Sequence, residues 1–188
     1  MLTRISMQNN SLKTLPKDAF TNLIGTKSYG KVKLTINLIF SYNRINTIDR
    51  NAFRGLKNIN NLWLDNNKLI DWNGKLLDGV EVDNLRIGHN LITCFKDDLD
   101  GIIKAEITHL DNNPYDCDCL EKIKIWAKKN DKSVDIFHSD MDCRIKRMRG
   151  KIDGLKDLLG KTNTDKSKEE TTLRNLVNVE DEVEVLFK

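Results

Sequence analysis

The segment Ile59-Asn60-Asn61-Leu62-Trp63-Leu64-Asp65-Asn66-Asn67-Lys68-Leu69 decides how the chain reads. Leu62 and Leu64 alternate with Trp63 and Asp65, the period of a strand that buries one face. Asn67 ends the alternation. Its amide is both donor and acceptor, so it suits a turning backbone whose groups would otherwise be buried unpaired. The arrangement recurs in Met7-Gln8-Asn9-Asn10-Ser11-Leu12, Phe40-Ser41-Tyr42-Asn43-Arg44-Ile45, Ile87-Gly88-His89-Asn90-Leu91-Ile92 and Leu110-Asp111-Asn112-Asn113-Pro114-Tyr115. The asparagines at 10, 43, 67, 90 and 113 stand 33, 24, 23 and 23 residues apart. Phe20, Phe53 and Leu77 follow their asparagines by 10 residues, and Leu23, Leu56, Val80 and Ile103 by 13. Thr35 sits at the first apolar position of the second unit, and Ala105 and Thr108 replace leucines in the fifth.

A unit of this length cannot bury its own face, so the units must stack. The pattern resembles the leucine-rich repeat, L-x-x-L-x-L-x-x-N-x-L. That resemblance implies an α/β fold, a leucine-rich-repeat solenoid (horseshoe) with a parallel sheet on its concave side. Leu15-Pro16-Lys17-Asp18-Ala19-Phe20 is similar to the outer half of repeats in animal extracellular proteins, and Ile48 to Phe53 follows it without the proline. The long first spacing implies a convex-side loop inserted near 24–33.

Beyond the repeats come Asn113-Pro114, Cys117-Asp118-Cys119, a helical stretch from Leu120 to Lys129 with Ile123, Trp126 and Ala127 on one stripe, and Cys143. Residues 113–143 resemble the cysteine-rich C-terminal cap of Slit-like, Toll-like and Nogo-receptor-like ectodomains. The implied organisation is about five repeats over 1–113, a helical disulfide cap over 114–160 and a polar tail over 161–188. In that tail Leu173, Leu176, Val177, Val183 and Leu186 suit one amphipathic helix. The resemblance pairs Cys117 with Cys143 and leaves Cys119 without its family partner. A Cys94–Cys119 bridge requires Cα atoms within about 7 Å. A free Cys119 or an intermolecular bridge stays equally open, because four cysteines allow three connectivities. One Cys-x-Cys with His138 nearby lacks the paired elements of a structural zinc site, so no metal and no cofactor is expected. Disulfides imply an oxidising, extracellular setting. Asn9-Asn10-Ser11 is a glycosylation triplet, with Asn9 the acceptor.

Composition narrows the classes. The 188 residues are 39% hydrophobic and 31% charged, above the disordered regime. Lys and Arg number 31 against 28 acids, and a net charge of +3 argues against a dedicated nucleic-acid binder. No apolar run approaches the ~20 residues of a membrane span. No apolar signal segment follows Met1, and the first strand would be uncapped, so a secreted or ectodomain parent is expected to extend beyond this fragment.

Strand positions that alternate with the leucines should face the concavity. They present Ile39, Tyr42, Trp63, Asp65, Arg86, His89 and His109 near the middle of the stack. Trp, Tyr and Arg are the residues that anchor protein interfaces. Two of the three histidines fall there and would make binding respond to pH. A second surface is basic: Arg144, Lys146, Arg147, Arg149 and Lys151 carry five positive charges with no acid among 143–151. The expected function is a non-catalytic protein-binding module in a receptor, adhesion or innate-immune setting. The alternative is a polyanion or acidic-glycan binder acting through 144–151. No phosphate loop, nucleophile elbow or metal-ligand helix supports an enzyme. A cytosolic scaffold with reduced cysteines is the remaining rival.

Overall fold

A computed structural model describes residues 3–21, 23, 34–96 and 99–161, with 171, 174 and 175. The expected insert at 24–33 and the apolar tail positions at 173, 176, 177, 183 and 186 lie outside the described residues. The strands run β1 (Arg4–Ser6), β2 (Thr14–Leu15), β3 (Ile36–Ile39), β4 (Thr47–Ile48), β5 (Asn58–Trp63), β6 (Glu81–Arg86), β7 (Ile107–His109) and β8 (Ser133–Asp135). The helices are α1 (Leu99–Ile102), α2 (Cys117–Lys129) and α3 (Phe137–Lys161). The class is α/β. Six strands form one parallel sheet in the order β1-β3-β5-β6-β7-β8, and β2 and β4 form a parallel pair. The chain forms two compact units, Met1–Ser139 and Asp140–Lys188. The first holds the sheet, α1, α2 and the opening residues of α3. In the second, Cys143 and Met148 are buried on α3.

Strand alternation builds the core. Ile5, Leu38, Leu62, Leu85, Thr108 and Val134 align across the six strands on one face. Phe40, Leu64, Ile87 and Leu110 follow two residues later and are also buried. Replacing one of these leucines by alanine costs about 2–5 kcal/mol, from lost transfer energy plus a cavity. The outer halves close the other side: Phe20 and Phe53 stack with centroids 5.7 Å apart, and Leu77 is buried in the equivalent position. Thr35 does not fill the first apolar position of the second repeat. Ile36 does, paired with Ile59, because the register shifts between Ile36 and Asn37.

The repeated asparagines close the strand ends. The Asn67 amide nitrogen donates to Phe40 O and Leu64 O, both at 3.0 Å, and its oxygen accepts from Ile45 N at 2.9 Å. Asn90 repeats this with Leu64 O, Ile87 O and Leu69 N, and Asn113 with Ile87 O, Leu110 O and Ile92 N. Asn43 bonds Met7 O, Phe40 O and Leu12 N. Each carbonyl at 40, 64 and 87 therefore accepts from two successive asparagines, filling both lone pairs. The residue before each asparagine is left-handed: Asn9, Tyr42, Asn66, His89 and Asn112 have φ between 50° and 58°.

Helix α2 buries Cys119, Leu120, Ile123 and Ala127, one stripe at helical spacing. Trp126 is not part of it. It is half-buried, and its indole nitrogen donates to Asp100 Oδ1 at 2.8 Å. Cys119 is neither free nor intermolecular: it is bridged to Cys94 with Cα atoms 5.6 Å apart. Cys117 and Cys143 are also disulfide-bonded, so no cysteine is free. Among the described residues no helix is long and apolar enough to cross a membrane.

Candidate functional site

Parallel pairing in near-perfect register aligns side chains into rows across the first unit. On the face opposite the core, Ser6, Ile39, Trp63, Arg86, His109 and Asp135 occupy one row, one residue per strand. Two residues earlier lies a second row of Arg4, Asn37, Asn61, Asn84, Ile107 and Ser133. Four of the proposed contact residues thus come together in the first row, with Tyr42, Asp65 and His89 just past the strand ends.

Trp63 and Arg86 form the centre. The guanidinium carbon stands 4.4 Å from the Trp63 ring centroid, a cation–π contact across β5 and β6. Beside it the Asn61 amide nitrogen donates to Asn37 Oδ1 at 2.6 Å, and Asn37 donates to Thr3 O. Trp63 Nε1, Arg86 Nε and Asn84 Oδ1 are buried without a hydrogen-bond partner. Two donors and one acceptor are thus left unsatisfied on adjacent strands, where each such group ordinarily costs about 1–3 kcal/mol. Further along the row, His109 Nδ1 lies 3.1 Å from Asp135 Oδ2.

Individual residues depart from their expected roles. Ile39 is no exposed anchor: it is 2% exposed, in the row beside Trp63. Alternation sets the side of the sheet, but a bulky residue on the next strand sets how much is covered. Tyr42 is 57% exposed and left-handed, at φ 58°. His89 is exposed at φ 50°. Asp65 accepts from Ser41 Oγ of the preceding repeat at 2.7 Å and from Asn66 Nδ2 at 2.9 Å, so it ties its own turn to the one before. The equivalent Asp111 is buried and accepts from the Ser139 and His138 amides and from His138 Nδ1 at the start of α3. Burial pushes its carboxyl up. The hydrogen bonds from Ser139, His138 and Asn112 outweigh that and hold it at about 2. His138 thus serves a carboxylate, and no cluster of metal-binding side chains is present among the described residues. Asn9 is exposed at the edge of the sheet.

The basic run lies on α3 in the second unit, with Arg144, Lys146, Arg147, Arg149 and Lys151 all exposed. The helical period divides it: Arg144, Arg147 and Lys151 share one side, and Lys146 and Arg149 lie on the other. Contiguity in sequence does not show this division.

Sequence inspection missed the asparagine row and Asp135. The row was detectable, since Asn61 and Asn84 are 23 residues apart and each lies two residues before Trp63 or Arg86. Asp135 carried no signal, because β8 falls outside the repeat pattern. Compared with models of known protein families and with curated proteins, the chain matches none.

Proposed function

We propose that the chain is a non-catalytic protein-binding module, part of an extracellular leucine-rich-repeat protein of the receptor, adhesion or innate-immune kind. Its ligand docks on the face opposite the core, around Trp63, Arg86, Tyr42 and His109. The Trp63–Arg86 pair carries this reading: a half-buried tryptophan under a guanidinium, on the sheet face opposite the core. Tyr42 adds to it. A bulky residue held left-handed and exposed costs stability where asparagine stands in three of the other four units, which points to a purpose outside the fold. The strands are braced by their terminal asparagines, so the face is presented with little entropy to lose on binding. The leucine-rich-repeat assignment rests on the recurring pattern, the strand-by-strand register and the asparagine bonds. The extracellular assignment rests on the disulfides, which persist in oxidising compartments.

The test is a panel of purified ectodomains and secreted proteins probed with the wild-type chain and Trp63→Ala. A ligand bound by the wild type should lose roughly thirtyfold or more with Trp63→Ala, at unchanged melting temperature and with weak salt dependence. Undiminished binding by Trp63→Ala overturns the site. The second reading, polyanion binding through 144–151, draws on the exposure of all five cations. We rank it second because the helix splits them between two sides.

A further inference from the structure

The loop side of the first unit carries a concavity of about 360 Å³ between the outer halves of the second and third repeats. One sequence step, used twice at a spacing of 24, builds it: Phe53-Arg54-Gly55-Leu56 and Leu77-Asp78-Gly79-Val80. Gly55 and Gly79 turn the chain at φ 92° and 70°, where a side chain would be strained. Phe53, Leu56 and Val80 supply a buried floor. The rim bears Arg50, Arg54, Lys57 and Lys75 against one acid, Asp78.

Among Arg50, Arg54 and Lys75 the charges do not cancel. Lys104 Nζ, 2.9 Å from Asp78 Oδ1, already neutralises the single carboxylate. Arg54 has only a loose, exposed contact with Asp18 at 3.9 Å, and such pairs contribute little. Arg50 and Lys75 are exposed. The cavity therefore gathers positive charge on a molecule whose net charge is only +3.

The backbone narrows the ligand. The amides of Arg54, Leu56, Asp78 and Val80 donate to Asn51 O, Phe53 O, Lys75 O and Leu77 O within their own turns. They cannot form the amide nest that grips a lone phosphate, nor offer a main-chain edge to an extended peptide. With those four amides engaged, recognition falls chiefly to the long cationic side chains around the rim. These suit a ligand with several separated oxyanions, each met by its own cation, and guanidinium groups bind such oxyanions in two-point fashion. The volume falls within the range of small-ligand sites and accommodates a sugar ring.

We propose that this concavity binds a sulfated saccharide chain, through Arg50, Arg54 and Lys75. The site shares no residue with the sheet face that takes the protein ligand or with the basic run on α3.

The test titrates a heparin-derived hexasaccharide into the full chain by calorimetry at low ionic strength. The double variant Arg50→Glu/Lys75→Glu should weaken binding by at least about tenfold, with a shallower salt dependence and an unchanged melting temperature. Arg50→Gln/Lys75→Gln should weaken it less and serves if the charge reversal fails to fold. Chemically desulfated hexasaccharide should not bind, and Lys146→Glu/Arg149→Glu should bind like the wild type. Wild-type affinity in both cavity variants overturns the proposal, as does loss confined to the α3 variant. Equal competition by a poly-glutamate peptide also overturns it and makes the ligand an acidic protein.

Discussion

Two sets of asparagines in the first unit have opposite fates. Asn43, Asn67, Asn90 and Asn113 lie on the core side of the strand ends, and each bonds backbone groups of its own and the preceding repeat. Asn37, Asn61 and Asn84 lie on the opposite face. Two of them bond each other, and the third keeps a buried oxygen with no partner. On the core side the asparagines fasten one repeat to the next through main-chain groups; on the opposite face the row is bonded only in part. A fold is stabilised by spending hydrogen bonds internally. The opposite face leaves some unmade, and so adds less to stability.

The largest expected effect breaks the first set. Asn67→Ala should destabilise the chain by about 4 kcal/mol in urea unfolding, because it orphans Ile45 N and strips one donor each from Phe40 O and Leu64 O. Asn84→Ala should change stability by less than about 0.5 kcal/mol or raise it, since an unsatisfied oxygen is removed. Equal losses at the two sites would erase the comparison. The next effect concerns the end of the stack. Cys94→Ala/Cys119→Ala opens a cross-link of sequence separation 25 and should cost about 3 kcal/mol by thermal unfolding.

Asp111 sharpens the comparison by pH. Its carboxyl is held at about 2 in the folded chain, below the ordinary carboxylate range near 4. Its contribution is therefore complete above that ordinary range and lost as pH falls through about 2. Asp111→Asn should lower stability at neutral pH by about 1–2 kcal/mol and flatten the acid limb of the stability curve between pH 4 and 2. The remaining effect has the opposite sign to that of Asn67→Ala. Tyr42→Asn relieves a left-handed tyrosine and should stabilise by up to about 1 kcal/mol while weakening ligand binding. A variant that gains stability and keeps full affinity would remove Tyr42 from the site.

Much of this architecture was legible because it depends on short-range rules. The spacing of Asn43, Asn67, Asn90 and Asn113 encodes the strand ends, and period-two alternation assigns Leu62 and Trp63 to opposite faces. What escaped depends on neighbours far away in sequence. The register shift that brings Ile36 rather than Thr35 to Ile59 is invisible in one strand alone. The burial of Ile39 follows from its place in a row beside Trp63. Cys119 reads as unpartnered until β6 and the following loop bring Cys94 within reach. The basic run looked like one patch because a linear sequence does not display the angle between successive helical residues.

The twice-accepting carbonyls at 40, 64 and 87 have a kinetic corollary. The amides of Leu12, Ile45, Leu69 and Ile92 are held by asparagine oxygens from the following unit. None can trade its proton for deuterium until the neighbour that holds it lets go. Those four amides then act as clocks for successive joints, and their exchange times, read together, measure how far a local opening travels before it closes again.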